Sequence, residues 1–195
     1  YNSDAMGVVS GGLSRGWTYD GRLGLILDLD PGQLWRGASF HASVHQIHGR
    51  QPTAEHVGAL MAVSGVEAEP ATRLFNLWIE QQLGEKASVR VGQFTAGQEF
   101  FISPTAALFV NSTFGWPAIL AQDLPSGGPS YPLAAPGVRL SYRPGPAVTV
   151  LLAAFNGDPA GPGGGDPQRR DRSGFNSLRI SGPPFLMVEA QYARG

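Results

Sequence analysis

Three histidines, His41, His45 and His48, lie close together in the sequence and could form a metal site. The residues around them alternate between apolar and polar, which predicts a β-strand. In a strand, residues four positions apart are separated by about 13 Å, and residues at odd spacing point to opposite faces. His41 and His45 are therefore too far apart to share a metal ion, and His48 points away from both. We predict no metal site and no cofactor.

Two further patterns could serve an enzyme. Asp28 and Asp30 would lie about 7 Å apart on one strand face, a spacing that an inverting glycosidase can use. The stretch Gly12-Leu13-Ser14-Arg15-Gly16 fits the G-x-S-x-G pattern of hydrolases. That motif needs a helix after the serine, whereas another strand is predicted here. Carboxylates that line a pore explain the aspartates better than catalysis does, so we predict that the protein is not an enzyme.

Most of the chain alternates between apolar and polar residues in short stretches. In one of them, Leu23, Leu25, Leu27 and Leu29 share a face. Such alternation predicts about eight strands, at residues 5–13, 22–30, 37–48, 72–83, 87–94, 138–142, 148–155 and 186–192. Several of these reach the length of about 9 to 11 residues that a tilted strand needs to cross a bilayer. A short capped helix is predicted to begin near Thr53.

The fourth and seventh strands carry apolar residues on the face that is otherwise polar. Trp78 shares the polar face of the fourth strand with Glu80, whereas Phe75 is predicted on the apolar face. In the seventh strand, Leu151 and Phe155 stand where polar groups are expected. A folded apolar loop packed on this face would explain the seventh strand.

The connection at residues 101–136 is too long for an ordinary turn. Its six prolines exclude one helix or one central strand, because each proline lacks an amide donor. It is also rich in bulky apolar residues, which a solvated linker lacks. We predict a folded, functional loop. A second loop, rich in glycine and proline, is predicted at residues 156–174.

The predicted connections differ in length in a regular way. The 2-3, 4-5 and 6-7 turns are short, whereas the 3-4, 5-6 and 7-8 loops are long, and only the 1-2 turn does not fit. Short turns on one side and long loops on the other are typical of outer-membrane barrels. Trp35, Tyr142 and Tyr192 fall at the short-turn end, as in an interfacial aromatic belt. We therefore predict an all-β antiparallel transmembrane barrel, with residues 1–195 in a single domain.

The composition limits the partners and the compartment. The net charge is -1 and the pI is near 6.5, so we do not expect the protein to bind nucleic acid. Cysteine is absent, which excludes disulfides and thiolate metal sites. No apolar run is long enough for a transmembrane helix. The chain begins at Tyr1 with no signal-like segment, so we expect a mature segment or a fragment.

Several long and specific stretches are spread over nearly the whole chain, among them VRVGQFTAGQEFF (89–101), FVNSTFGWP (109–117) and LPSGGPSYPLAAPGVRL (124–140). In these stretches the chain resembles the bacterial carbohydrate-selective porin family, the OprB-like porins. The resemblance implies a sixteen-stranded antiparallel barrel in the bacterial outer membrane that passes glucose and other sugars by diffusion. It also implies that loops folded into the lumen narrow this barrel, here the loop at residues 101–136. About eight strands are predicted here, so we expect the N-terminal half of such a barrel. The oligomeric state, a homo-oligomer included, stays open.

A sugar pore needs polar groups for the sugar hydroxyls and aromatic rings for the C–H faces. The strand pattern and the loop supply both kinds of side chain. Our candidates for pore-lining and sugar-contacting residues are His41, His45, Glu80, Arg90, Glu99, Phe114, Trp116, Tyr131, Arg139, Glu189 and Gln191. The expected permeants are glucose-like sugars, and the expected surroundings are outer-membrane lipid.

The alternative is a soluble all-β domain that binds carbohydrate or hydrolyses glycosides. In such a domain the apolar strand faces would meet inside a sandwich. A sandwich gives no reason for long loops on one side only, or for aromatic residues on the outer face at strand ends.

Overall fold

The computed structural model of the protein describes residues 1–116, 123–175, 180 and 182–193. They form one antiparallel sheet in which eight strands follow each other in sequence order. The strands are β1 (Asn2–Val8), β2 (Gly16–Leu29), β3 (Ala38–Gly49), β4 (Ala71–Leu83), β5 (Ala87–Phe94), β6 (Ala135–Gly145), β7 (Val148–Asn156) and β8 (Pro184–Tyr192). The predicted all-β antiparallel architecture is confirmed, and within the described residues β1 and β8 form the two edges.

The predicted bounds are wrong for the first two strands. β1 ends at Val8 and β2 already begins at Gly16, six residues before the predicted start at Arg22. The chain turns earlier because Gly11 and Gly12 adopt positive φ angles of 72° and 68°, a conformation that glycine reaches without strain. Most of the other bounds agree with the prediction within about three residues. β6 extends the furthest beyond its predicted range, to Gly145.

The two faces of the sheet differ sharply in chemistry. One face, called the apolar face, exposes large apolar side chains on β2 and on β4 to β8, among them Leu25, Val138 and Val188. The opposite face, called the polar face, carries Glu80 and Arg139, which are buried. In an antiparallel sheet, directly paired residues share a face, and the pairing keeps this separation from β2 to β8.

Exposed aromatic residues lie near both ends of the strands. Trp17 and Tyr19 are exposed near the start of β2. Trp35 in the β2–β3 turn, Tyr142 near the end of β6 and Tyr192 at the end of β8 are exposed at the opposite end. The predicted placement of these last three at the short-turn end is therefore confirmed.

The connection between β5 and β6, residues 95–134, packs on the polar face and is called the long loop here. Residues 117–122 of the loop predicted at 101–136 lie outside the described residues. Phe100 from the long loop is buried in one apolar cluster with Phe94, Leu151, Phe155 and Met187. The apolar residues Leu151 and Phe155 of the seventh strand, which lie on the polar face, thus pack against the long loop.

The fourth strand contains a correction. Its pairing with β3 shifts at Ser43 and Val44, which marks a β-bulge. Phe75, predicted on the apolar face, is instead buried and stacks on His45 with ring centroids 4.1 Å apart. The bulge adds one residue to β4, and strict alternation cannot register such an insertion.

The helical segments are short. A single π-helical turn spans Thr53–Val57, where we predicted a short capped helix. Thr53 does not cap it, because the Thr53 hydroxyl donates to Glu67 Oε2 at 2.6 Å instead. The remaining segments are 3₁₀ turns at Ala96–Gln98, Ala106–Leu108, Ser112–Phe114 and Pro125–Gly127, and the α-helical turn α1 at Pro167–Arg170. None of the described helices is long and apolar enough to cross a membrane.

Candidate functional site

Four charged side chains meet on the polar face where β4, β5 and β6 lie side by side. Glu80 from β4 accepts hydrogen bonds from Arg90 Nε at 2.8 Å and from Arg139 Nη2 at 3.1 Å. Glu80 pairs with Arg90 and Arg90 pairs with Arg139 in the strand register, so alternation alone places the three side chains in one row. The row has one excess positive charge until the long loop supplies a second carboxylate.

That second carboxylate is Glu99. Its Oε2 accepts a hydrogen bond from Arg139 Nε at 2.8 Å, and its Oε1 accepts one from Arg90 Nη1. Two arginines and two glutamates therefore form a closed set, called the charge network here, with no net charge. All four side chains are at least about five-sixths buried, with exposed fractions of 7% to 16%. Ser88 adds an acceptor for Arg139 Nη1 at 2.9 Å.

The charge network is continuous with a stack of rings. The Arg90 guanidinium carbon lies 3.6 Å from the centroid of the Trp78 ring, in cation–π geometry. His41 stacks on the same indole with centroids 4.9 Å apart and planes 9° from parallel. His41 Nδ1 in turn donates to Asp28 Oδ1 at 2.6 Å. Strands β2 to β5 thus share one continuous polar and aromatic surface.

Gly92 makes room for this stack. It pairs with Trp78 across the β4–β5 ladder and has a φ angle of 146°, which favours glycine. A Cβ atom at this position would lie 2.6 Å from the Trp78 Cα and 2.2 Å from the Leu77 carbonyl oxygen. Any larger residue would push the β4 backbone away and displace the indole under Arg90.

A second aromatic group lies nearer the long connections. His45 stacks on Phe75, and Tyr131 from the long loop lies edge-on to Phe75 at 5.9 Å. The Tyr131 hydroxyl donates to the carbonyl of Val66 at 2.8 Å, and the guanidinium of Arg22 lies 5.1 Å from the Tyr131 ring centroid. Burial raises the pKa of Tyr131 to about 12, so the hydroxyl stays a donor. His45 and Tyr131 are thus brought together, but not with the charge network.

Glu189 and Gln191 lie on β8 at the edge of the polar face. Glu189 Oε2 accepts a hydrogen bond from the backbone N–H of Phe101 at 2.7 Å, and Gln191 Nε2 donates to Glu189 Oε1 at 2.9 Å. Glu189 therefore holds the long loop at a second point, two residues after Glu99. Gln191 is exposed on this face.

The two remaining candidates lie on the long loop. Trp116 packs against the apolar cluster around Phe94 and Phe100 and meets Phe101 edge-on at 6.0 Å. Phe114 stacks on Phe109 at 4.4 Å and is exposed. Neither ring contacts the charge network, so the structure brings together only some of the predicted residues.

The sequence-based candidates for sugar contact did not include Trp78 or Ser88, and Asp28 was predicted only as a carboxylate that lines a pore. Trp78 was noticed only as an exception to alternation, yet an aromatic residue in a polar row next to an arginine is itself a signal. Asp28 pairs with His41 and Ser88 pairs with Ser141, so the register places both on the polar face. For small or common polar residues of this kind, the only sequence signal is their position in the alternation of the strand.

The patterns that could have served an enzyme have structural explanations. Ser14 lies in the turn before β2, its hydroxyl donates to the Glu55 carbonyl at 2.9 Å, and it contacts His56 Nδ1 at 2.6 Å. Since that hydroxyl proton is already held by a carbonyl and a strand follows the serine, the hydrolase motif lacks its required setting. Within the part of the chain that the structure describes, no three acidic or histidine side chains are grouped to hold a metal ion.

The model of one protein family, described as carbohydrate-selective porin, OprB family, matches residues 14–195. The chain belongs to this family. A structural comparison agrees, because the chain is similar to a solved high-pH structure of Pseudomonas putida OprB with a TM-score of 0.75 and 20% sequence identity. The similarity covers 99% of this chain and 46% of that one, so the chain spans less than half the length of that porin. No curated protein matches the chain.

Family membership agrees with the fold and the site. Carbohydrate-selective porins of the OprB family are channels of the outer membrane, not enzymes. The similar structure, at this level of identity, supports the antiparallel β-fold. The resemblance inferred from the sequence is thereby confirmed.

Proposed function

We propose that the protein forms part of the wall of an outer-membrane pore through which glucose and other carbohydrates diffuse passively into the periplasm. The charge network carries this proposal. It joins the long loop to the polar face through Glu99, while the opposite face exposes apolar side chains suited to lipid. A loop held inside a sheet with an apolar exterior is how a porin narrows its lumen.

The chemistry of the polar face suits sugars better than ions. Because the two glutamates neutralise the two arginines, the network offers hydrogen-bond donors and acceptors without a net charge. Sugar hydroxyls use both kinds of group, and the stack of Arg90, Trp78 and His41 continues the polar surface beside them. Such an arrangement can orient a passing sugar without binding it tightly.

We propose that the pore-lining candidates act in three groups. The network residues Glu80, Arg90, Glu99 and Arg139, together with His41 and Trp78, form the narrow part. His45, Tyr131, Phe114 and Trp116 lie along the approach from the side of the long connections, and Glu189 with Gln191 lines the wall along β8. The long loop, predicted as a constriction at 101–136, narrows the lumen from its first turn at Ala96–Gln98 onwards.

The pore itself needs more strands than this sheet contains. An eight-stranded sheet with two free edges exposes backbone donors and acceptors that lipid cannot satisfy. We propose that further strands pair with the β1 and β8 edges and close the barrel. The chain matches less than half of the length of the similar porin, which supports this view.

Liposome swelling tests the proposed function. The complete porin that contains this chain is reconstituted into liposomes, and swelling is followed in isotonic glucose, in a larger oligosaccharide and in salt. We expect fast swelling in glucose and slower swelling with increasing sugar size. Liposomes that contain the folded porin but swell in glucose no faster than protein-free liposomes would contradict the proposal.

No observation favours the soluble alternative. In a sandwich the apolar face would be covered by a second sheet, but Leu23, Leu25 and Leu27 are exposed on the described sheet. A carbohydrate-binding or hydrolytic domain would therefore leave its largest apolar surface in water.

A further inference from the structure

Asp20, on the polar face of β2, is buried without a hydrogen-bond partner. Its side chain is 2% exposed, and neither carboxylate oxygen has a partner among the described residues. A buried carboxylate in this state is strongly unfavourable, because water no longer solvates it and no donor replaces that water. Such an unsatisfied group in a native fold needs an explanation, of which a bound ion is one.

A second carboxylate stands directly opposite. Asp4 pairs with Asp20 in the β1–β2 register, so the two side chains project from the same face of neighbouring strands. Like charges placed directly opposite each other across a ladder destabilise a sheet. Asp4 Oδ2 accepts a hydrogen bond from the hydroxyl of Ser64 at 2.7 Å, and Ser64 is itself buried at 1% exposure.

The surrounding charges do not cancel this pair. Glu67 adds a third carboxylate nearby, and its pKa is raised by burial and, to a smaller extent, by Asp20. Both Glu67 oxygens are already bonded to Thr53, through its N–H at 3.0 Å and its hydroxyl at 2.6 Å. The nearest cation on the same strand, Arg22, is held over the Tyr131 ring.

We propose that Asp4, Asp20 and the hydroxyl oxygen of Ser64 bind one Ca²⁺ ion, which ties the connection between β3 and β4 to the first two strands. All the donors are oxygens, which this hard cation prefers. Two bidentate carboxylates and one hydroxyl supply up to five of the roughly six to eight ligands that Ca²⁺ takes, and water supplies the rest.

The geometry agrees with such a mixed ligand set. No three acidic or histidine side chains in the described part of the chain are grouped around one point. Because both Glu67 oxygens are bonded to Thr53, Glu67 stays outside the proposed ligand shell. The Ser64 hydroxyl donates to Asp4 and accepts from the N–H of Val66 at 3.1 Å, which leaves one oxygen lone pair free for the ion. This proposal does not depend on the passage of sugar.

Calcium titration of the complete porin that contains this chain, in detergent, by calorimetry at neutral pH after treatment with EDTA, tests the proposal. We expect saturable binding with a dissociation constant in the range of about 10⁻⁴ to 10⁻³ M that is typical of extracellular sites. Asp20→Asn and Asp4→Asn should each weaken binding at least about tenfold, since each removes one anionic ligand. Glu85→Gln, which removes one carboxylate from the β4–β5 turn, should bind calcium like the unaltered chain.

Thermal unfolding provides a second readout. Calcium should raise the unfolding temperature of the unaltered chain and of Glu85→Gln, but not that of Asp20→Asn or Asp4→Asn. If Asp20 holds a proton instead of an ion, calcium and EDTA give the same unfolding temperature, and the proposal is overturned. Equal calcium binding by the unaltered chain and both aspartate variants would overturn it as well. If Asp20→Asn does not fold, Asp4→Asn decides.

Discussion

Glu99 of the long loop accepts a hydrogen bond from Arg139 of β6 at 2.8 Å, and the same carboxylate also bonds Arg90 of β5. One loop residue thus pairs with two arginines that the strand register places side by side. The attachment of the long loop and the charge balance of the polar face therefore depend on the same side chain.

Replacing this anchor should change ion selectivity. Glu99→Gln keeps the size of the side chain but leaves the charge network with one excess positive charge. In planar bilayers containing the complete porin, we expect a shift of the reversal potential towards anion preference under a salt gradient, and a larger and noisier open current. The matched control is Glu85→Gln in the β4–β5 turn, which should keep the original selectivity. An unchanged reversal potential in Glu99→Gln would show that the network does not face the ion path.

Replacing Glu80 should lower the stability of the protein as well as change its ion selectivity. Its carboxylate bonds both arginines from within the sheet, so Glu80→Gln leaves two buried cations short of a partner. Removing one partner of a buried pair costs about 3–5 kcal/mol, and we expect a loss of that size in the free energy of unfolding. Denaturant unfolding in lipid vesicles measures it. Glu85→Gln should stay within about 0.5 kcal/mol of the unaltered protein, as is usual for surface changes.

A single charged substitution tests whether the apolar face contacts lipid. Leu25 is 64% exposed near the middle of β2, where we expect it to contact lipid. Leu25→Arg should destabilise the protein by about 2–4 kcal/mol in vesicles, the cost of arginine at the bilayer midplane of a barrel. Leu34→Arg, at a turn residue that is 93% exposed, should have little effect. Equal stability of the two variants would show that the Leu25 face does not meet lipid.

The sequence predicts the row of Glu80, Arg90 and Arg139 because alternation is a local property, and neighbouring strands only need to be in register. It does not predict that Glu99 joins them, because the path of a loop depends on tertiary packing. The alternation of faces predicted the wrong face for Phe75, because a bulge in β4 adds one residue to the strand there. The early turn before β2 was missed because glycines in several nearby positions could each have formed it.

The central claim is that the polar face lines the path of the sugar, and neighbouring residues on β8 allow a direct test. The chain has no cysteine, so Gln191→Cys and Ala190→Cys each introduce a single thiol into it. Both positions are exposed, but their side chains lie on opposite faces of the strand. Each variant of the complete porin is reconstituted, treated with a bulky membrane-impermeant thiol reagent, and assayed for glucose-driven liposome swelling. The account predicts that the reagent slows glucose entry through Gln191→Cys and leaves Ala190→Cys unaffected. Slower entry through Ala190→Cys, with no change in a fully labelled Gln191→Cys, would contradict it.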